Sequence, residues 1–268
     1  MSSTDIELLA LDLDGTVIGE DKKLSPTIKE AIAAAQKKGV KVIIATGRMF
    51  VSALPYAKQL GLSGPIVTYN GALIKHLKKE QTMGHFPVSL STARQIIQDA
   101  EKMNIHLNLY LDDRLYVSEK NSYSDGYAEF TGVTAHPVGS LLDFMDQPPT
   151  KLLAIEEDRN RFEEIFSFFE DKYSQEVFLT ESQHHYLEFC SPKATKGRGL
   201  AMVADHFDIA QENTMALGDS GNDRTMIQWA GIGGAVQTGI EEVKKEADFI
   251  FPEPEKQGVA SVIEKYIL

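Results

Sequence analysis

The chain has 268 residues, a formal net charge of −12 and one cysteine, with 43% hydrophobic and 25% charged residues. A chain of this size buries most of its unfolded surface without a staple, and the lone Cys190 excludes an internal disulfide or a cysteine zinc cluster. The acidic balance argues against nucleic acid as a partner, and no apolar run reaches membrane-spanning length.

The first element is a buried strand, Leu8 to Leu11, which runs directly into Asp12-Leu13-Asp14-Gly15-Thr16. Side chains alternate along a strand, so Asp12 and Asp14 share a side while Leu13 points elsewhere. Gly15 permits the sharp departure. Two like charges this close need a cation or donors to offset them, which marks a candidate site; the plainer reading is a solvated Asp-rich turn. Ser25-Pro26 starts a helix that Gly39 closes, with Ile28, Ile32 and Ala35 at helical spacing. Val40 to Ala45 is a second buried strand, and Thr46-Gly47-Arg48 follows at its exit before a helix toward Leu60-Gly61. Thr46 is expected to cap that helix as well as to bind an anion. Pro65 to Tyr69, Asn70-Gly71 and Ala72 to Ile74 form a hairpin signal.

From about residue 82 to 189 the texture changes to a mixed α+β unit. Leu107 to Leu111 and Leu115 to Val117 flank a hairpin tip at Asp112-Asp113-Arg114. Lys151 to Ile155, Val177 to Leu179 and Tyr186 to Cys190 read as strands, and Arg159 to Tyr173 as an amphipathic helix. His184-His185 would point to opposite sides of a strand, which fits a surface or substrate contact better than a metal site. The alternating rhythm then returns with a helix over Lys196 to Phe207, a strand over Thr214 to Leu217 and a helix over Asn222 to Ala230. The fold expected is α/β: a Rossmann-like parallel-sheet core of residues 1–82 and 190–268, interrupted by an inserted α+β domain over 83–189.

The segment Gly218-Asp219-Ser220-Gly221-Asn222-Asp223 repeats the logic of the opening motif, with an apolar strand, a glycine and carboxylates at the exit. In open α/β sheets the ligand crevice lies at the carboxyl ends of the strands, so these distant segments can converge. Asp12, Asp219 and the main-chain carbonyl of Asp14 form an all-oxygen set suited to Mg²⁺, with Asp223 behind it or bound through water. The Thr46 hydroxyl, the Gly47 amide, Lys196 and Asn222 supply donors and one positive charge, an inventory that fits a phosphoryl group.

These residues resemble the four motifs of the haloacid dehalogenase-like phosphatase superfamily: Asp12-Leu13-Asp14-Gly15-Thr16, Ala45-Thr46-Gly47-Arg48, Lys196-Gly197 and Gly218 to Asp223. With Tyr69-Asn70-Gly71-Ala72 and the long insertion before Lys196, the order is similar to the Cof-type branch bearing the larger cap, class IIB. The resemblance implies that Asp12 is the nucleophile, forming an aspartyl-phosphate, and that Asp14 is the general acid and base. It implies that Mg²⁺ binds at Asp12, Asp14 and Asp219, while Thr46, Gly47, Lys196, Asn222 and the Leu13 amide hold the phosphoryl oxygens. Arg48, Asn70 and Gly71 are candidates for substrate or cap contact, Arg48 equally for a salt bridge and Asn70-Gly71 first of all for a turn.

The function expected is therefore a Mg²⁺-dependent phosphatase of small phosphorylated metabolites. Sugar phosphates come first, with pyridoxal phosphate or flavin mononucleotide second. A phosphomutase and a non-catalytic phosphate-binding regulator are the readings from other classes; the latter should have lost one of Asp12, Asp14 or Asp219, and all three are present. The partner expected is a small phosphate ester, with no nucleic acid or membrane, in a monomer or weak homo-oligomer. Met1 to Asp5 lacks a basic segment followed by an apolar one, so a cytoplasmic location is expected. Val236-Gln237-Thr238-Gly239 and Pro252-Glu253-Pro254 depart from the usual Cof-type pattern and leave the substrate open.

Overall fold

The computed structural model describes residues 5–79, 81–182 and 185–268. The readings made on Met1 to Thr4 and on His184 lie outside the described residues. The chain divides into two compact units, Met1–Gly84 with Thr195–Leu268, and His85–Ala194.

In the first unit, β1 (Leu8–Leu11) is buried at every position and leads through the turn at Gly15 to helix α1 (Pro26–Lys37). Ser25 accepts the Ile28 amide at 3.2 Å, with Pro26 in the first turn, as the sequence pattern anticipates. There follow β2 (Lys41–Ile44), α2 (Phe50–Gln59), β3 (Pro65–Thr68), β4 (Leu73–His76) and β5 (Thr82–His85). β3 and β4 pair antiparallel around the Tyr69–Gly71 turn, the expected hairpin.

The inserted unit runs α3 (Leu90–Lys102), β6 (His106–Leu111), β7 (Arg114–Val117), α4 (Ser122–Thr131), β8 (Ala135–Pro137), α5 (Leu141–Phe144), β9 (Lys151–Ile155), α6 (Arg159–Tyr173), β10 (Phe178–Ser182) and β11 (Tyr186–Cys190). Its six strands form one mixed sheet in the order β10-β11-β9-β6-β7-β8. Ile96, Ile97, Phe162, Ile165 and Phe169 bury the helices on Leu109, Leu152 and Phe189. Helix α4 is absent from the periodicity reading because its Ser, Gly and Tyr content gives no apolar stripe; a capping box at Asn121 and the left-handed Gly132 define its ends instead.

The chain then returns to the first unit with α7 (Lys196–His206), β12 (Thr214–Gly218), α8 (Arg224–Trp229), β13 (Ile232–Val236), α9 (Glu241–Glu246), β14 (Phe249–Phe251) and α10 (Gly258–Tyr266). The main sheet has the order β14-β13-β12-β1-β2 and every pairing in it is parallel. Both faces of a parallel sheet are covered, which is why its strands read as unbroken apolar runs. Among the described residues, no helix is long and apolar enough to cross a membrane.

Candidate active site

Strand register places the acids. Leu11 lies opposite both Ile44 and Leu217, so β1, β2 and β12 end level on one edge of the sheet. Each chain then leaves that edge within two residues, the Asp12 amide still bonding the Leu217 carbonyl at 3.0 Å and the Ala45 amide the Leu11 carbonyl at 2.9 Å. Residues some two hundred positions apart thereby share one crevice.

Asp12, Asp219 and Asp223 each present a carboxylate oxygen to one place, all within 4.8 Å of one another. Lys196, at the start of α7 and 1% exposed, donates to Asp12 Oδ1 at 2.6 Å and to Asp223 Oδ1 at 2.5 Å. A lysine that opens a helix is usually solvated; this one is buried between two carboxylates. Asp223 gives its other oxygen to the amides of Asp219 and Ser220, both at 2.9 Å, and to the Ser220 hydroxyl. Its carboxylate is thus occupied by donors and braces the loop that carries Asp219. Thr16 donates to Asp219 Oδ1 at 2.9 Å.

One lysine does not balance this set. Burial, then the charge of Asp223, push the Asp12 carboxyl well above its usual range despite Lys196. Burial and Asp223 likewise raise Asp219 to about 7, against the hydrogen bond from Thr16. Burial disfavours the Lys196 ammonium, but Asp12 and Asp223 outweigh it, so the lysine stays charged. A buried oxygen-only cluster short of positive charge is a donor set of the kind that suits a hard divalent cation such as Mg²⁺.

Asp14 stands apart from this cluster. Its side chain is 42% exposed and both its oxygens are taken by Arg48, Nε to Oδ2 and Nη2 to Oδ1, each at 2.6 Å. The Asp14 carboxylate is not among the three that converge. Arg48 forms the salt bridge weighed from the sequence. The Leu13 side chain is fully buried, and its carbonyl accepts the amides of Thr16, Val17 and Ile18, which turns the chain back after the strand.

Thr46 is buried, and its hydroxyl accepts the Arg48 amide at 3.2 Å; α2 is instead preceded by Met49 at its N-cap, so Thr46 does not cap that helix. The three intervening residues are the reason, because a cap must sit next to the first turn. Asn222 donates to Asn70 Oδ1 at 2.9 Å and accepts from Ser220 at 2.8 Å. Gly47 packs so closely on this pair that a Cβ would stand 2.8 Å from Asn70 Oδ1. Gly71 is pressed against the Thr195 carbonyl just before Lys196. Thr16, Ser220 and Thr195 are the residues that sequence reasoning passed over. The signal was a hydroxyl beside the acids in both Asp motifs, and one directly before the lysine.

A family model described as haloacid dehalogenase-like hydrolase matches residues 9–263. This chain belongs to that family. The hydrolase is 31% identical over 268 residues to the 5-amino-6-(5-phospho-D-ribitylamino)uracil phosphatase YitU of Bacillus subtilis, covering 97% of each chain. It is 25% identical over 270 residues to the pyridoxal phosphate phosphatase YbhA of Escherichia coli, covering 97% of this chain and 98% of that one. Its fold matches that of the subclass IIB sugar phosphatase BT4131 with a TM-score of 0.86, at 22% identity over 97% of this chain and 98% of the other. Family and relatives together make this haloacid dehalogenase-like hydrolase an enzyme of the phosphatase type.

Proposed function

We propose that the protein is a Mg²⁺-dependent phosphatase of small metabolites whose phosphate sits on a sugar or sugar-derived polyol chain. The observation that carries the reading is Asp12 held in a buried acidic cluster by Lys196, at the mouth of a parallel sheet. Asp12 is the nucleophile. Lys196 holds it by Oδ1, which fixes the plane of the carboxylate for in-line attack. A new Asp12 oxygen–phosphorus bond forms as the ester bond breaks, and Asp14 gives its proton to the departing alkoxide. Water then attacks phosphorus, its proton passes to Asp14, and the Asp12–phosphorus bond breaks to release inorganic phosphate.

Mg²⁺, when bound by Asp12 and Asp219, supplies the positive charge that lets a carboxylate approach a phosphate dianion. Asp223 and Thr16 orient that pair from behind. Lys196, Gly47 and Asn222 are the donors that hold the equatorial oxygens, with Thr46 beside them.

The polyol preference rests on chemistry shared with the Bacillus subtilis relative, whose substrate carries its phosphate on a ribityl chain. Flavin mononucleotide presents the same ribityl phosphate. The Escherichia coli relative supports pyridoxal phosphate as the second reading. Release of inorganic phosphate from a panel of sugar, ribityl and pyridoxal phosphates, before and after EDTA treatment and Mg²⁺ readdition, tests the proposal. Metal-independent turnover, isomerised sugar phosphate without free phosphate, or activity surviving Asp12→Asn would each overturn it.

A further inference from the structure

Three consecutive residues after β3 hold positive φ: Tyr69 at 52°, Asn70 at 57° and Gly71 at 98°. A bulky aromatic rarely adopts this region, and such strain persists only where surrounding structure imposes it. Here the surroundings are three separate segments of the candidate site. The Tyr69 amide donates to the Arg48 carbonyl at 2.9 Å and the Asn70 amide to the Thr46 carbonyl at 3.1 Å, tying the turn to the loop after β2. Asn70 Oδ1 accepts from Asn222 at 2.9 Å and lies against Gly47. Gly71 meets the Thr195 carbonyl so closely that a Cβ there would stand 2.2 Å from it. Thr195 is the N-cap of α7, whose first residue is Lys196.

We infer that Asn70 is a positioning residue: its side-chain Oδ1, presented by the turn, sets the mutual geometry of Gly47 and Asn222, donors that face the phosphoryl group. Asn70 and Tyr69 are 3% and 0% exposed, so the turn acts from beneath these donors. The inference rests on the proposed phosphatase function, since it assigns those donors to phosphate. Left-handed backbone is intrinsically easier for glycine, so a purely structural role and a positioning role make opposite predictions for Asn70→Gly.

The full-length protein is compared with Asn70→Gly, Asn222→Ala and the double variant, reading melting temperature, kcat and KM on p-nitrophenyl phosphate, and inorganic phosphate affinity by calorimetry in Mg²⁺. Asn70→Gly is expected to melt at or above the wild-type temperature while kcat falls about tenfold or more and phosphate binds severalfold more weakly. The double variant is expected to lose no more than the worse single variant, because the two residues act as a unit. Wild-type kcat and phosphate affinity in Asn70→Gly, or fully additive losses, would overturn the inference while leaving the phosphatase reading in place. If instead the wild type hydrolyses no ester, that reading fails, and the phosphate affinities still decide the role of Asn70. Should Asn70→Gly not fold, Asn70→Ser withdraws the acceptor from Asn222 without adding charge; it is expected to show the same loss of about tenfold or more in kcat, and wild-type kcat in it counts against the inference.

Discussion

Arg48 grips Asp14 through two hydrogen bonds of 2.6 Å, and the same guanidinium lies 4.8 Å over the Tyr56 ring. Burial disfavours its charge, but the bonds to Asp14 outweigh that and raise its pKa. A planar fork on a planar carboxylate sets one orientation, which a lysine cannot reproduce. A carboxylate so held is an acceptor only, so the pair must part for Asp14 to deliver a proton.

Arg48→Ala is expected to lower kcat on alkyl phosphates by about tenfold, part of the usual contribution of a positioned acid. The loss should shrink on p-nitrophenyl phosphate, whose leaving group needs no proton, and Arg48→Lys should not restore it. The Arg48 side chain is 12% exposed and stacks on Tyr56, so Arg48→Ala should also lower the melting temperature, a loss that is the same whichever ester is assayed. Equal losses on both ester types would refute the orienting role.

Lys196 is the sole side-chain cation bonded to Asp12 or Asp223 among the described residues. Removing one partner of a buried pair leaves uncompensated charge, typically at a cost of about 3–5 kcal/mol. Lys196→Met should therefore be both inactive and strongly destabilised in chemical denaturation without metal. Added Mg²⁺ should recover part of the stability, because it neutralises the same carboxylates. A variant as stable as wild type in EDTA would contradict the charge balance described for the cluster.

Asp219 gives a pH signature. Its pKa rises on folding from 3.8 to about 7, so its contribution to stability is fully present below pH 3.8 and is lost as pH rises through 7. In EDTA, Asp219→Asn should thus gain on the wild type between pH 4 and pH 7.5, with the difference in melting temperature widening over that range. Mg²⁺ should bind the wild type more tightly as pH rises toward 7, since it competes with protons for the carboxylate. A pH-independent difference between the two proteins would count against the raised pKa.

Gly15 has φ of 82°, and a Cβ there would stand 2.5 Å from Asp219 Oδ2. Gly15→Ala combines backbone strain with displacement of a proposed metal ligand. Mg²⁺ affinity measured by calorimetry is expected to weaken by about tenfold or more, in the range seen when groups supporting metal ligands are lost. Unchanged affinity would place the metal away from Asp219.

Much of the core was legible because parallel strands announce themselves twice, by unbroken apolar runs and by the chemistry of their exits. Leu8 to Leu11, Val40 to Ala45 and Thr214 to Leu217 each end in a polar motif, and all three form strands in one sheet. The inserted unit was harder. Its helix α4 lacks an apolar stripe, and β7 pairs parallel with β8 after an antiparallel pairing with β6, a combination no local pattern specifies.

Composition and motif order by themselves determined the α/β class, the family resemblance and the acids at the strand ends, because strand burial and turn chemistry are local properties written in neighbouring residues. Only the tertiary structure decided that Lys196 bridges Asp12 and Asp223, that Arg48 holds Asp14, and that the Tyr69–Gly71 turn braces Asn222. Those relationships depend on the register of β1 against β12 and on contacts across more than 150 positions in two of these cases. Distances of that kind are set by packing, and no short stretch of chain encodes them.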